Sequence, residues 1–126
     1  MSNKNKHILI VDSSIISANR IFNALSEVTN ILKVDYAANG NEALQKINDS
    51  QPNAIMLDIQ LPDISGSDIL RKIKLFYPGV AVIVLTDYPT SFSLKLCKEL
   101  GAIGYYNKSM ELNMAIEQLQ QLTNKF

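Results

Sequence analysis

The feature that most constrains the fold is an alternation along the chain between two kinds of apolar segment. Five short runs rich in β-branched residues are each followed by a longer segment in which apolar residues recur every three or four positions. The first kind is typical of β-strands and the second of amphipathic helices. We predict strands at residues 8–11, 33–37, 54–57, 81–85 and 104–106. The predicted helix faces include three phenylalanines, Phe22, Phe76 and Phe92.

The third and fourth predicted strands are apolar along their whole length, with the sequences Ala-Ile-Met-Leu and Ala-Val-Ile-Val-Leu. Strands without polar alternation are typical of parallel sheets that carry helices on both faces. Right-handed crossovers then give an α/β fold, a doubly wound five-stranded parallel sheet with five helices, most simply in strand order 2-1-3-4-5. Ligands of such folds bind outside the carboxyl ends of the strands, near the switch point between strands one and three.

Four polar side chains stand at these carboxyl ends. They are Asp12 after the first strand, Asp58 after the third, Thr86 after the fourth and Lys108 after the fifth. Two carboxylates held close together repel each other unless they share a cation, and hard oxygen ligands favour Mg²⁺. Mg²⁺, an ammonium and a hydroxyl together neutralise the charge of a transferring phosphoryl group. We therefore predict a phosphoryl-transfer site at which Asp58 is the nucleophile.

These residues also have a purely structural interpretation. An aspartate at a strand end often caps the next helix or shapes a turn, and a threonine or lysine there is often an ordinary loop residue. The functional interpretation depends on all four side chains occurring together at successive strand ends.

The composition excludes several other classes of protein. Twelve Lys and Arg balance twelve Asp and Glu, so no excess of positive charge exists to bind nucleic acid or an anionic membrane. The single cysteine, Cys97, has no internal disulfide partner, and no Cys/His cluster has zinc-site spacing. No apolar run reaches the ~18 residues of a membrane span, and the polar residues 1–6 lack the apolar core of a signal peptide. We therefore expect a cytoplasmic protein that binds neither nucleic acid nor membrane directly.

Between about residues 6 and 122, the chain resembles the receiver domains of bacterial two-component response regulators. The resemblance depends on five motifs in order, each at a strand end. They are His-Ile-Leu-Ile-Val-Asp-Ser (7–13), Ala-Asn-Gly-Asn-Glu-Ala-Leu (38–44), Leu-Asp-Ile-Gln-Leu-Pro-Asp-Ile-Ser-Gly (57–66), Val-Ile-Val-Leu-Thr-Asp (82–87) and Gly-Ala-Ile-Gly-Tyr-Tyr-Asn-Lys-Ser (101–109). The resemblance implies that residues 1–126 form a single receiver domain with the flavodoxin-like receiver fold.

The resemblance also implies a chemistry for the strand-end residues. Asp58 would accept a phosphoryl group from a sensor histidine kinase or a phosphotransfer protein, in a Mg²⁺-dependent reaction that forms an acyl phosphate. Asp12, Asp58 and the backbone carbonyl of Gln60 would hold Mg²⁺. Thr86 and Lys108 would contact the phosphoryl group. Such a domain is a switch more than an enzyme, with at most weak activity in its own phosphorylation and dephosphorylation.

Two positions match the switch residues of the family, Thr86 and Tyr105. The ring of Tyr105 would turn inward as Thr86 shifts, which remodels the face formed by the fourth helix, fifth strand and fifth helix. This is a population shift between two packings, biased by one charged group. A downstream protein or output domain would read that face, and a homodimer through it is a further expectation of the resemblance.

Three positions depart from the family pattern. Ser13 stands where members usually carry a second acid that binds the metal directly, so weaker Mg²⁺ affinity is expected. Asp87 stands where a small residue usually gives the phosphoryl group access, and it either obstructs that group, leans toward the metal or faces solvent. Ser109 stands where many members have a proline, and its absence is expected to loosen the neighbouring lysine.

These departures leave a second interpretation open. The chain would then be a pseudo-receiver, a protein-interaction module whose fold persists while Ser13 and Asp87 have made phosphorylation ineffective. A flavodoxin-like electron carrier or small hydrolase has little support, because Asp12-Ser13-Ser14 supplies no phosphate loop or cofactor contact.

Overall fold

The computed structural model of the chain describes residues 6–125. Most of the polar stretch 1–6, on which the signal-peptide prediction depends, lies outside the described residues. The strands are β1 (Lys6–Val11), β2 (Ile31–Ala37), β3 (Ala54–Asp58), β4 (Ala81–Thr86) and β5 (Gly104–Asn107). The helices are α1 (Ile15–Leu25), α2 (Gly40–Asp49), α3 (Gly66–Phe76), α4 (Ser91–Glu99) and α5 (Leu112–Thr123). No helix within residues 6–125 combines the length and apolar character that crossing a membrane requires.

The strands form one parallel sheet in the order β2-β1-β3-β4-β5. This confirms the predicted doubly wound topology, with its switch point between β1 and β3. β1 and β2 each begin two residues earlier than predicted, and β3, β4 and β5 each end one residue later because their ladders continue past the apolar run. Asp58 pairs with Leu85, and Thr86 pairs with Asn107. Asp58 and Thr86 are therefore the last residues of their strands, where the sheet itself holds their backbones.

The sheet separates two apolar cores. Leu9 and Leu57 point to the face covered by α2, α3 and α4, whereas Ile8 and Met56 point to the face covered by α1 and α5. Successive side chains of a strand point to opposite faces, so a sheet covered on both sides needs apolar residues at every position. All five residues of β3 are buried accordingly.

The assignment of three phenylalanines to the buried helix faces is wrong. Phe22, Phe76 and Phe92 are 53%, 66% and 77% exposed. Successive residues of a helix are separated by about 100°, so Phe22 lies beside the stripe that its neighbour Ile21 occupies. Periodicity alone does not distinguish the edge of an apolar stripe from its centre.

Four helices begin at a side-chain cap. Ser14, Asn39, Ser65 and Thr90 each accept a hydrogen bond from the backbone N–H three residues further on. Each cap follows the carboxyl end of a strand, and a capped helix start fixes the path of the loop before it. The caps therefore hold the loops that surround the carboxyl edge of the sheet.

Candidate functional site at the carboxyl edge

The sheet brings the four strand-end side chains to one edge. Asp12 comes directly after β1, Asp58 ends β3, Thr86 ends β4 and Lys108 comes directly after β5. Their exposed fractions are 0%, 5%, 0% and 6% in that order. Charged residues are almost never this buried unless they are paired or bind an ion. The predicted convergence is therefore present, and it calls for an explanation of how the charges are balanced.

Lys108 lies between the two carboxylates. Its Nζ is 3.0 Å from Asp12 Oδ2 and 2.9 Å from Asp58 Oδ2, and it donates a hydrogen bond to each. One ammonium against two carboxylates leaves one negative charge in excess among these three buried groups. Because Asp12 Oδ2 and Asp58 Oδ2 both contact the Lys108 nitrogen, the two carboxylates must lie close to each other.

Burial and pairing act against each other on these groups. Burial raises the pKa of the Asp58 carboxyl, although hydrogen bonds from Gln60 N–H and Lys108 oppose the rise. Burial by itself lowers the pKa of the Lys108 ammonium, but its contacts with Asp58 and Asp12 outweigh burial and hold that pKa above its usual value. The site thus favours the protonated form of Lys108 and makes the ionised form of Asp58 less favourable than it is in water.

The start of α1 holds the Asp12 side chain. Ser14 N–H donates to Asp12 Oδ1 at 2.8 Å, and Ser17 Oγ donates to Asp12 Oδ2 at 2.6 Å. Tyr36 of β2 donates from its hydroxyl to the Asp12 carbonyl at 2.8 Å. Asp12 therefore anchors the start of α1, as the structural interpretation expects, and it also contacts Lys108.

The loop after β3 holds the Asp58 side chain. Gln60 N–H donates to Asp58 Oδ1 at 2.9 Å, and the Gln60 side chain is exposed. Further along this loop, Asp63 accepts hydrogen bonds from the backbone N–H groups of Gly40 and Asn41 at the start of α2. The loop is thus fixed at both ends, and it keeps the Asp58 carboxylate pointing toward the site.

Thr86 and Tyr105 are linked through the loop between β4 and α4. Thr86 Oγ1 accepts a hydrogen bond from Tyr88 N–H at 3.1 Å, and Tyr105 Oη accepts one from Thr90 N–H at 3.3 Å. Tyr105 is half-buried and packs against the core beneath α2, α3 and α4. One short loop therefore contacts both residues that the resemblance implies as switch positions.

The three departures from the family pattern have different structural consequences. Ser13 is exposed. Asp87 is exposed, but its side chain also contacts the site, because its Oδ1 accepts a hydrogen bond from Ser109 Oγ at 2.8 Å and its Oδ2 lies 3.9 Å from Lys108 Nζ. Lys108 is buried and bridged on both sides, so Ser109 does not leave the lysine loose in this structure.

Sequence reasoning missed two contacts on α1. Besides the Ser17 hydrogen bond to Asp12, Arg20 Nη2 donates to the Lys108 carbonyl. The cap at Ser14 gives a local signal for Ser17, because it places the first turn of α1 beside Asp12. Arg20 and Lys108 are 88 positions apart, and no local pattern marks such a pair.

The donor set fits a hard divalent cation held partly by water. Asp12 and Asp58 are close enough to share one lysine, and the cluster carries a negative charge in excess. Within residues 6–125, no group of three or more His, Cys, Asp or Glu side chains forms a closed metal site. Mg²⁺ is usually bound by one or two carboxylates and keeps several waters, so the Asp12 and Asp58 carboxylates suit it.

The family model described as the response regulator receiver domain matches residues 8–120. Sporulation initiation phosphotransferase F of Bacillus subtilis (strain 168) is 31% identical over 112 residues, which cover 86% of this chain and 86% of that protein. A structure described as a response regulator receiver domain protein (CheY-like), from Methanospirillum hungatei JF-1, is 28% identical. It superposes with a TM-score of 0.84 over 95% of this chain and 94% of that chain.

Other relatives are longer. The protein-glutamate methylesterase/protein-glutamine glutaminase of Bacillus subtilis (strain 168) is 34% identical over 119 residues. These cover 89% of this chain but 33% of that protein. The chain therefore spans about a third of the length of this relative, and the similarity covers only that third.

Proposed function

This chain belongs to the response regulator receiver domain family of two-component signalling, and from that premise we propose that Asp58 accepts a phosphoryl group from a histidine kinase or a phosphotransfer protein. The observation that carries the proposal is the Lys108 ammonium, buried between Asp12 and Asp58 at the switch-point edge of the sheet. A positive charge fixed beside an acceptor carboxylate is what a transferring phosphoryl group requires. The proposed role is that of a signalling switch in the cytoplasm.

Phosphoryl transfer to Asp58 exchanges the P–N bond of the donor for a P–O bond. An oxygen of the Asp58 carboxylate attacks the phosphorus of a phosphohistidine, and the P–N bond breaks. The electron pair of that bond returns to the imidazole of the donor, and an acyl phosphate forms on Asp58. Lys108 is already within hydrogen-bonding distance of Asp58 Oδ2, so it stabilises the charge on the phosphoryl oxygens without moving far. Thr86, at the end of the neighbouring strand, supplies a hydroxyl donor.

Asp12, Asp58 and the Gln60 carbonyl would hold Mg²⁺. When bound, the ion supplies charge neutralisation for the phosphoryl oxygens and offsets the excess negative charge of the cluster. The chain's own contribution is to hold both carboxylates in place, through Ser14 N–H on Asp12 and Gln60 N–H on Asp58.

The switch proposal is supported by the loop between β4 and α4. If the Thr86 hydroxyl turns toward a phosphoryl group on Asp58, Tyr88 N–H loses its acceptor and the loop moves. Thr90 N–H donates to Tyr105 Oη from the same loop, so that movement reaches the aromatic ring. A partner protein, an output domain or a second copy would then read the face formed by α4, β5 and α5.

The test is phosphorylation by a small-molecule donor. We expect wild-type protein mixed with acetyl phosphate and Mg²⁺ to gain the mass of one phosphoryl group in intact mass spectrometry. Asp58→Asn should gain none, because its amide oxygen is not nucleophilic enough to attack phosphorus. Asp68→Asn, which removes an exposed carboxylate of α3, should behave as wild type. Phosphorylation of Asp58→Asn, or none of the wild type at high Mg²⁺, would contradict the proposal.

A second candidate is favoured by the lack of a carboxylate at Ser13. In this case the fold would act as a pseudo-receiver that binds partners without phosphorylation. Beryllofluoride, a phosphoryl mimic, distinguishes the two when amide chemical shifts are followed through a Mg²⁺ titration. Shifts at Thr86, Tyr105 and Lys108 that need Mg²⁺ and vanish in Asp58→Asn favour the phosphoryl switch. Their absence at saturating Mg²⁺ favours the pseudo-receiver.

A further inference from the structure

The side of α1 that faces the site carries two polar side chains one helical turn apart, Ser17 and Arg20. Ser17 Oγ donates to Asp12 Oδ2 at 2.6 Å, and Arg20 Nη2 donates to the Lys108 carbonyl. Neither residue takes part in the proposed transfer and switching steps. One helix thus contacts both the acid that follows β1 and the lysine that follows β5.

Ser17 contacts the same carboxylate oxygen of Asp12 that Lys108 contacts. It occupies the third position of α1, from which a side chain often reaches back to the N–H of the capping residue. Here the Ser14 N–H is taken by Asp12 Oδ1 instead, and Ser17 reaches Asp12 Oδ2. Asp12 Oδ2 also accepts the Lys108 ammonium. Ser17 therefore fixes the orientation of the oxygen that holds one end of the lysine bridge.

Arg20 completes the support of the Lys108 backbone. Lys108 N–H donates to the Thr86 carbonyl at 2.9 Å, which ties one side of this residue to the end of β4. The Lys108 carbonyl accepts from Arg20 on the other side. With its backbone held from both β4 and α1, the lysine side chain starts from a fixed point.

A fixed starting point matters because Lys108 has another partner available. Asp87 Oδ2 lies 3.9 Å from Lys108 Nζ, and the Asp87 side chain is 40% exposed. A lysine has four flexible side-chain bonds and a strongly hydrated ammonium, so an unsupported Lys108 is drawn toward the wetter carboxylate. The chain also lacks a second acid at position 13 to hold the site together.

We propose that Ser17 and Arg20 are positioning residues of the phosphoryl site, a pair that we name the α1 brace. Ser17 orients Asp12, and Arg20 fixes the backbone from which Lys108 reaches Asp58 rather than Asp87. The proposal rests on the proposed function for its consequence, which is efficient Mg²⁺ binding and phosphoryl transfer. The contacts themselves are properties of the unmodified protein and are testable without either.

The first test is a spectroscopic signature in metal-free protein. A buried ammonium with two carboxylate acceptors exchanges its protons slowly, so Lys108 should give a protected side-chain signal in ¹⁵N-edited NMR. We expect Ser17→Ala and Arg20→Met to lose that protection, and Ser17→Thr and Arg20→Lys to restore it in part. Asn19→Ala, an exposed α1 position between the two, should retain it.

The second test separates the two halves of the brace. We expect Ser17→Ala to weaken Mg²⁺ binding about tenfold, the lower end of what loss of a hydrogen bond to a metal ligand produces. Arg20→Met should not weaken Mg²⁺ binding, because movement of the Lys108 ammonium toward Asp87 reduces the positive charge beside the two carboxylates. It should slow phosphorylation by acetyl phosphate at saturating Mg²⁺ about three- to tenfold, the range that corresponds to one net hydrogen bond.

The outcomes separate failure of the brace from failure of the proposed function. If wild-type protein is not phosphorylated, the proposed function fails and the ammonium signal still decides the brace. If Ser17→Ala and Arg20→Met keep the protected signal, the brace is overturned, whatever the phosphorylation result. The brace is also overturned if each loss of the protected Lys108 signal is matched by a fall in stability measured by urea unfolding. It is likewise overturned if Ser17→Thr and Arg20→Lys restore none of that signal.

Discussion

Replacement of Lys108 by methionine tests whether the lysine bridge holds the fold together as well as the site. Methionine keeps an apolar side chain of similar length and removes the ammonium. In metal-free buffer, the change leaves the Asp12 and Asp58 carboxylates facing each other, both less than a tenth exposed. We expect a fold that survives with much lower stability.

The distances set the electrostatic contributions, and the desolvation of the three charged groups offsets much of them. Each Lys108 contact is about 3 Å long, and at an effective dielectric of about 20 it contributes about 5 kcal/mol of attraction before desolvation. Since both oxygens lie near one nitrogen, they are at most about 6 Å apart, and without the ammonium they repel by about 3 kcal/mol. The direct rule for breaking a buried ion pair gives about 3–5 kcal/mol. We expect a loss in this range, out of a total of about 5–15 kcal/mol.

The assay is urea unfolding followed by far-ultraviolet circular dichroism, because the chain has no tryptophan. Relative to wild type, Lys108→Met should regain stability as the pH is lowered from 7 toward the ordinary carboxyl pKa of about 3.9. The variant lacks the Lys108 contacts that oppose the raised pKa of Asp58. The folded state therefore takes up a proton on Asp58, and this relieves the repulsion between the two carboxylates. The double variant with Asp58→Asn should recover most of the repulsive part. Lys95→Met, at an exposed position of α4, should change little.

Two results would refute this reasoning. A loss below about 1 kcal/mol for Lys108→Met would mean that the desolvation of the lysine cancels its attraction to the acids. A double variant no more stable than Lys108→Met would mean that the two carboxylates do not repel each other. Either result would remove the excess negative charge as an argument for a cation at this site.

Two further predictions concern the loop after β3. Asp63 accepts three backbone hydrogen bonds, from Gly40, Asn41 and Ile64, and those from Asn41 and Gly40 are the main cause of its lowered pKa. Asp63→Ala should therefore lower the melting temperature at pH 7. Because the lowered pKa of Asp63 contributes stability only above the carboxyl pKa of the unfolded chain, the difference in melting temperature between variant and wild type should fade below about pH 3.9. An equal difference at pH 3 would contradict this prediction. Gly66→Ala should destabilise by about 1–3 kcal/mol in urea unfolding, because a Cβ there would lie 2.2 Å from Ile59 Cα, whereas Gly79→Ala meets nothing within 4 Å and should lose no stability to a steric clash.

The fold was predictable because its signals are local and repeated. The continuous apolar run of β3 alone implies that both faces of the sheet are covered, and the structure buries all five of its residues. Strand ends were less certain, because Asp58 and Thr86 extend their ladders although neither is apolar. Hydrogen-bonding register decides such ends, and it depends on the neighbouring strand rather than on the residue type.

The site was predictable only in part. A parallel sheet brings its strand ends to one edge, so the convergence of Asp12, Asp58 and Lys108 follows from topology. The sequence does not show which oxygen the lysine contacts or that one ammonium bridges two acids. It also gives no sign of Arg20, because that contact depends on where α1 packs rather than on any pattern near either residue.

Ser13 and Asp87, two separate departures from the family pattern in the sequence, both change the net charge of the same site in the structure. Ser13 removes a carboxylate beside Asp12, but Asp87 adds one within 3.9 Å of Lys108 Nζ. Three carboxylates and one ammonium leave two negative charges, which one divalent cation neutralises. Asp87 is 40% exposed and accepts a hydrogen bond from Ser109, so water weakens its field and its charge offsets the loss of the acid only in part. If Asp58 accepts a phosphoryl group as proposed, we therefore expect this chain to differ from other receivers in the Mg²⁺ concentration that it needs.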